Sequence, residues 1–94
     1  ALYRAIRRFR DAEPLYRAGL ATRERAFGPD DTLVAQTLNG LGLLLRNMGR
    51  IGDAEPLIRR ALEIRTRALG PRHPATLQSR NSLARLLHDL GRLE

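Results

Sequence analysis

The apolar residues of this chain recur at steps of three and four, which is the spacing of one face of an α-helix. The clearest such run consists of Leu38, Leu41, Leu45 and Met48, with the small Gly42 between them. After a glycine, a second apolar stripe consists of Ile51, Ala54, Leu57, Ile58, Ala61, Leu62 and Ala68. No segment alternates apolar and polar residues with the period of a β-strand. The pattern therefore predicts an all-α chain.

Capping residues mark where these helices begin and end. Asp30 and Asp31 are favoured N-cap residues, Gly49 can adopt the left-handed conformation that stops a helix, and Pro74 suits a first helical position. These signals and further glycines predict helices near 9–27, 32–48, 51–69 and 74–90, after a stub over 1–7. Pro14 and Pro56 lie inside two of these helices, so each of those helices either begins later or bends slightly at its proline.

The chain repeats itself with a period of 42 residues. When residues 11–52 are aligned with residues 53–94 without a gap, 19 of the 42 pairs are identical. A period in this range indicates a stacked array, in which each unit buries its apolar face against its neighbours. Short joints make successive helices antiparallel. We expect a piece of a longer array, made of a partial unit over 1–28, a full unit over 29–70 and a partial unit over 71–94.

Each helix pair resembles the tetratricopeptide repeat. The first helix of the full unit has large residues around Gly42, and the second has the small Ala54 and Ala61 on either side of Ile58. The usual repeat has 34 residues. The longer form found here is similar to the repeats of kinesin light chains and their bacterial relatives, and the phrases that carry this likeness stand at 53–57, 61–65, 69–77 and 81–84.

This resemblance implies a right-handed α-solenoid of antiparallel helix pairs in a bacterial protein. It also implies a non-catalytic scaffold that holds a peptide or protein segment in the concave groove. It does not imply cargo transport, because such repeats occur in many bacterial proteins that have no motor. Relatives often carry two adjacent asparagines in the first helix, whereas Gly40 or Ser82 takes the second place here.

The formal net charge is +7, and every basic residue is an arginine. Codon bias in a GC-rich genome explains that usage without a ligand. Glutamate and arginine also stand four residues apart on the helices, at Glu13–Arg17, Glu55–Arg59 and Glu63–Arg67, which is typical of a solvated face. The alternative is an arginine-rich face that binds nucleic acid, for which basic charge is the only indication.

Little in the chain points to catalysis or a cofactor. There is no cysteine, so no disulfide or thiolate metal site is expected, and no apolar run approaches the ~20 residues of a membrane span. His73 and His88 have no acidic or histidine partner at helical spacing, and no carboxylate pair stands isolated among apolar residues. We therefore predict no catalytic residue, metal, cofactor, small-molecule substrate or membrane partner, and a cytoplasmic protein.

The concave groove is the one surface whose residues favour binding of a ligand. The resemblance places the first helix of each pair along it, and helical spacing from the asparagine at 39 selects Gln36, Asn39, Leu43, Arg46, Asn47, Gln78, Asn81, Arg85 and His88. These amides could form a ladder that hydrogen-bonds an extended peptide, with arginines favouring acidic side chains. Alternatively, the amides bond neighbouring helices and hold the repeat geometry.

Two further expectations concern architecture and assembly. The period also falls within the range of HEAT-like arrays, which are the rival architecture. The final helix carries three leucines that lack a following helix, namely Leu83, Leu87 and Leu90. Because a solenoid needs capped ends, we expect self-association through these leucines.

Overall fold

Four α-helices make up the part of the chain that the computed structural model describes, which is residues 2–93 for the backbone and 8–91 for side chains. The helices are α1 (Leu2–Phe27), α2 (Thr32–Asn47), α3 (Ile51–Leu69) and α4 (Pro74–Leu93). No β-strand occurs within these residues. The predicted all-α class is confirmed, and the bounds of α2 and α3 differ from the prediction by at most one residue.

The outer helices are longer than predicted. A stub and a separate helix were expected before residue 28, but α1 runs unbroken through both. The reason is visible in the repeat: Arg7 occupies the place of Gly49, so nothing there ends the helix. Helix α4 likewise continues past Gly91 to Leu93, because a glycine lowers helix propensity by only about 1 kcal/mol and does not stop a helix by itself.

Neither proline delays its helix. Pro14 lies in the middle of α1, and Pro56 is the sixth residue of α3. A later start at either proline is therefore wrong. Each proline leaves one backbone carbonyl of the preceding turn without its helical N–H donor.

Three glycines turn the chain between helices. Gly28, Gly49 and Gly70 have φ values of 90°, 83° and 93°, a region that a side chain disfavours. On the far side of the first joint, the Asp31 carboxylate accepts a hydrogen bond from the backbone N–H of Leu33 at 2.8 Å. One repeat later, His73 Nδ1 accepts from the N–H of Ala75 at 3.1 Å, so this loop histidine takes over the capping role.

Helix α2 forms the centre of the packing. It lies against α1 and α3, and it touches α4 along one edge. Its buried face contributes to two apolar clusters, one built around Val34, Ala35, Leu38, Ala61 and Ile64, and the other around Leu41, Leu44, Leu45, Ala54, Ile58, Leu83 and Leu86. The first helices of successive pairs, α2 and α4, therefore lie side by side, as a helical solenoid requires.

The three leucines expected to mediate self-association have different surroundings. Leu83 is only 9% exposed because it packs within the apolar cluster that contains Leu41 and Leu86. The expectation that it is left uncovered is wrong, since α2 and α3 cover it. Leu90 is half-buried, and Leu87 is 42% exposed.

Candidate functional site

An open cleft of about 570 Å³ lies between α1 and α2, and residues of α3 and α4 close its far side. We call it the arginine cleft. Its lining consists of Leu15, Tyr16, Gly19 and Arg23 from α1, Gln36, Thr37, Asn39, Gly40 and Leu43 from α2, Arg65 from α3, and Gln78 from α4. The cleft thus draws on both helices of successive pairs.

Arg23 ties α1 to the first turns of α2. Its Nη1 donates to the backbone carbonyl of Leu33 at 3.0 Å, to Gln36 Oε1 at 3.1 Å and to Thr37 Oγ1 at 3.0 Å. One nitrogen with two hydrogens serves three acceptors, so one of these hydrogens is shared. All three acceptors are neutral.

Arg65 repeats this arrangement one unit later, between α3 and α4. Its Nη1 donates to the backbone carbonyl of Ala75 at 3.0 Å, to Gln78 Oε1 at 3.1 Å and to Ser79 Oγ at 3.0 Å. Every partner lies 42 residues after its counterpart in the Arg23 set. We call each set an arginine latch, meaning Arg23 or Arg65 with its three acceptors.

The charge of Arg65 is buried without a counter-ion. The residue is 6% exposed, and among side chains 8–91 no carboxylate lies within ion-pair distance of its guanidinium. Burial lowers the pKa of Arg65, because desolvation disfavours the charged form. Arg23, which is half-buried, also lacks an acidic partner among these side chains, so the cleft wall is positively charged.

A hydrogen-bond chain connects Arg65 to Asn39 in the preceding unit. Ser79 Oγ accepts from Arg65 and donates to Asn39 Oδ1 at 3.0 Å. Asn39 is 3% exposed and lines the cleft. The Asn39 oxygen thus already accepts one hydrogen bond, whereas its amide nitrogen has no hydrogen-bond partner within the described residues.

The other end of the cleft is apolar. Leu15 is 74% exposed and Tyr16 is 38% exposed, both on α1. The Tyr16 ring lies against Gly40, where an added Cβ would come within 2.8 Å of Tyr16 Cε1. The glycine at this position therefore lets the ring approach α2. The cleft combines an apolar end with a cationic, amide-rich end.

The structure divides the sequence-predicted site residues between two clefts. Gln36, Asn39, Leu43 and Gln78 line the arginine cleft. Arg46, Arg85 and His88 line a second cleft of about 440 Å³ with Ala84 and Asp89. There, Arg46 Nε donates to Asp89 Oδ2 at 2.7 Å, which pairs α2 with α4. Asn47 and Asn81 are exposed and line neither cleft.

Sequence reasoning missed the five cleft residues that come from the second helices, namely Leu15, Tyr16, Gly19, Arg23 and Arg65. It had placed the whole site on first helices. A signal existed for the arginines, because Arg23 and Arg65 are identical in the 42-residue alignment. Nothing in the pattern of the helix distinguishes them from solvated arginines such as Arg25 and Arg67, which match in the same way.

Six of the twelve other arginines among side chains 8–91 are paired with carboxylates. Ion pairs involve Arg17, Arg46, Arg50, Arg59, Arg60 and Arg67. Arg50 Nη1 reaches Glu13 at 2.7 Å and so joins the start of α3 to α1. Hydrogen bonding by Arg17 and the charge of Arg50 lower the pKa of Glu13. Carboxylates therefore neutralise half of the arginine charge outside the two latches among these side chains.

The described part of the chain has neither a helix suited to span a membrane nor a cluster of metal-binding side chains. None of its helices is both long enough and apolar enough to cross a membrane. Among the same residues, no group of three or more histidines and carboxylates is arranged to hold a metal ion.

Comparison with known proteins identifies the repeat. A family model described as tetratricopeptide repeat matches residues 1–64 and again residues 33–94, so that the two matches together span the chain. No curated protein matches the sequence significantly. Two architectures were considered for a 42-residue period. This match supports the tetratricopeptide repeat and not the HEAT-like array. With its four antiparallel helices and its repeated latch, the chain belongs to the tetratricopeptide repeat family.

Proposed function

We propose that this chain is a non-catalytic interaction scaffold that binds an extended peptide or protein segment along the arginine cleft. Tetratricopeptide repeats generally mediate protein–protein interaction, which supplies the class of partner. The single observation that carries the choice of surface is the arginine cleft itself. It combines exposed apolar side chains, Leu15 and Tyr16, with hydrogen-bond donors from all four helices.

The chemistry of the cleft favours a peptide over a small metabolite. It is open rather than enclosed, so it cannot surround a small ligand as most metabolite sites do. Its amides and arginines suit the carbonyl groups and acidic side chains of an extended chain. We propose no small-molecule substrate and no catalytic residue.

The family type and origin are part of this proposal. The 42-residue period and the phrases at 53–57 and 69–77 support the kinesin light chain-like form of the repeat, in a bacterial protein. The proposed compartment is the cytoplasm.

Panning a random peptide display library against the 94-residue chain tests the function. We expect enrichment of linear peptides whose binding, measured by fluorescence anisotropy, is lost in Gly19→Glu. A Cβ at Gly19 meets no atom within 4 Å, so this variant places a carboxylate in the cleft without disturbing the packing. Ala21→Glu is the control, because it adds the same charge at an exposed α1 position outside the cleft lining.

Two outcomes would contradict the proposal. Failure to enrich any peptide above an unrelated helical control protein would contradict the scaffold function. Equal loss of binding in Gly19→Glu and Ala21→Glu would contradict the choice of surface. Tight binding of duplex DNA with a steep salt dependence would instead favour the nucleic-acid alternative.

A further inference from the structure

Two helix faces at opposite ends of the molecule lack the cover that the same faces have inside the repeat. On α3, the face toward α2 is buried or half-buried and consists of Leu57, Ile58, Ala61 and Ile64. The residues 42 positions earlier form the α1 face, which consists of Leu15, Tyr16, Gly19 and Thr22. Leu15 is 74% exposed and Tyr16 is 38% exposed. Within the described residues, no helix lies over the α1 face as α2 lies over α3.

Helix α4 carries the other half of the same interface. On α2, the face toward α3 is buried and consists of Ala35, Leu38, Gly42 and Leu45. The residues 42 positions later are all exposed and form the α4 face, which consists of Leu77, Arg80, Ala84 and Leu87. One molecule therefore exposes both sides of a helix interface that it also contains, in buried form, between α2 and α3.

The sizes of the two exposed faces compensate each other. The α4 face is larger at Leu77 and Arg80, which stand where α2 has an alanine and a leucine. The α1 face is smaller at Gly19 and Thr22, which stand where α3 has an alanine and an isoleucine. The four replaced residues belong to one apolar cluster, namely Ala35, Leu38, Ala61 and Ile64. Larger side chains of one face thus meet smaller side chains of the other, which keeps the packed volume similar.

Tyr16 accommodates the remaining difference between the two interfaces. Ala84 stands in the place of Gly42, where an added Cβ would overlap Ile58. Tyr16 is the counterpart of Ile58, but it is 38% exposed, whereas Ile58 is fully buried. The Tyr16 ring therefore has room to turn aside for Ala84.

A polar relay indicates the register of docking. Inside the molecule, Ser79 accepts from Arg65 and donates to Asn39, so that a hydroxyl group ties α4 to the first helix of the preceding unit. Asn39 is 3% exposed in this arrangement. The relay thus joins three successive helices at their contact.

The same relay is incomplete one unit earlier. Arg23 donates to Thr37, but Thr37 Oγ1 donates within its own helix, to the carbonyl of Leu33 at 3.2 Å. Asn81 is the counterpart of Asn39, and it is exposed on α4. Thr37 lines the open arginine cleft, from which Asn81 of another molecule would reach it.

We propose that this chain associates head to tail, with the α4 face of one copy docked on the α1 face of the next in the register of α2 on α3. Asn81 of the first copy then accepts a hydrogen bond from Thr37 of the second. Because the contact joins two different surfaces, one free face of each kind remains, and the contact repeats into chains. Tyr16 and Gly19 also line the arginine cleft, so a docked copy covers its apolar end. The inference goes beyond the proposed function and needs no peptide.

Mixing two blocked variants tests whether the α1 face binds the α4 face. Leu87→Glu puts a carboxylate in the α4 face, and Gly19→Glu puts one in the α1 face, where a Cβ meets no other atom within 4 Å. In sedimentation velocity, the unaltered chain should grow beyond two copies as its concentration rises to about 500 μM, a range suited to a small interface. Each variant alone should be monomeric. Equal amounts of both should form a dimer and nothing larger, because the mixture has one intact face of each kind.

Matched controls carry the same charge at other places. Leu69→Glu changes a leucine of similar exposure, 37%, at the end of α3, and Ala21→Glu changes an exposed residue of α1 outside the α1 face. Both should associate as the unaltered chain does. Association of Gly19→Glu alone, together with its loss in Leu87→Glu, would indicate a two-fold contact between α4 faces and overturn the head-to-tail arrangement. A monomeric unaltered chain at every concentration would also overturn it.

Variants of Asn81 test the register. Asn81→Ala should weaken association about tenfold, which corresponds to about 1.4 kcal/mol. Asn81→Asp keeps an oxygen acceptor for Thr37 and should retain association. Circular dichroism verifies the helix content of each variant, and the exposure of Asn81 leaves the core unaltered. Equal association of Asn81→Ala and the unaltered chain would refute the proposed register. Failure to find a binding peptide would contradict the proposed function and leave this result standing.

Discussion

Helices α2 and α3 approach each other closely at Gly42, and Gly42→Ala tests how tightly the repeat is packed. A Cβ added there would overlap Ile58 Cγ1 and come within 3.0 Å of Ile58 Cδ1. Ile58 is fully buried, so its side chain cannot move away into solvent. The new methyl group therefore has to displace α3 or force Ile58 from its rotamer.

The expected magnitude follows from two opposing terms. Replacing a glycine inside a helix with alanine gains about 0.5–1 kcal/mol through the unfolded state and helix propensity. Overpacking a well-filled core costs about 1–3 kcal/mol. Gly19→Ala in α1 isolates the first term, because a Cβ at Gly19 meets nothing within 4 Å. The two variants should thus differ in free energy of unfolding by the overpacking cost alone, about 1–3 kcal/mol.

Thermal and urea unfolding followed by circular dichroism measure this difference. For a chain of this size, 1 kcal/mol shifts the melting temperature by about 4–8 °C. Gly42→Ala should melt at least about 4 °C below Gly19→Ala, with an unchanged urea m-value. If both substitutions stabilise the protein equally, the contact between α2 and α3 at this glycine is not as close as the structure has it, and the reasoning fails.

Three further predictions concern other contacts. Ser79→Ala should lower the free energy of unfolding by about 1–3 kcal/mol, because it leaves the buried Asn39 oxygen without a donor. Urea unfolding measures this loss, and Ser82→Ala is the control because the Ser82 hydroxyl bonds only within α4. Arg17 and Arg50 lower the pKa of Glu13, so their ion pairs with Glu13 stabilise the fold above the ordinary pKa of 4.5. This stabilisation is lost as the pH falls below that value and Glu13 becomes protonated. Glu13→Gln should therefore flatten the stability profile in that acidic range, and an unchanged profile would exclude the ion pairs. Leu87→Glu with Leu90→Glu should lower the oligomeric state in sedimentation velocity without loss of helix, whereas a monomeric unaltered chain would contradict self-association.

The sequence predicted the inner helices well because their ends carry local chemistry. Gly49 and Gly70 turn the chain with positive φ, and the Asp31 carboxylate caps α2. The prediction failed at the outer ends of the chain. Position 7 is an arginine where the next repeat has a glycine, so α1 does not end there, and α4 continues through Gly91 without a turn. The two failures have different causes: no glycine is present at position 7 to end α1, whereas at Gly91 the chain does not fold back, and a glycine ends a helix only where it does.

The binding site was predicted only in part, and the reason differs from the reason at the helix ends. A residue that recurs in each unit can be repeated for packing or for binding, and both roles have the same period. Gln36 and Gln78 were selected as a ligand-facing ladder, and the structure shows their oxygens occupied by the latch arginines. The arginines themselves lie on second helices, and only the packing of α1 and α3 against their successors brings them to the cleft.

Gln36→Glu separates the two roles that the latch combines. The carboxylate would stand where Gln36 Oε1 now accepts from Arg23 at 3.1 Å, so the latch would be kept as a charge-assisted bond. Because Arg23 is only half-buried, we expect a gain of about 0.2–1 kcal/mol in the free energy of unfolding. The same carboxylate would neutralise Arg23 and place a negative charge in the cleft lining, so binding of peptides selected from the display library should weaken. Stability and affinity would then move in opposite directions, and a variant that keeps its full affinity for those peptides would show that the charge of Arg23 does not contribute to binding.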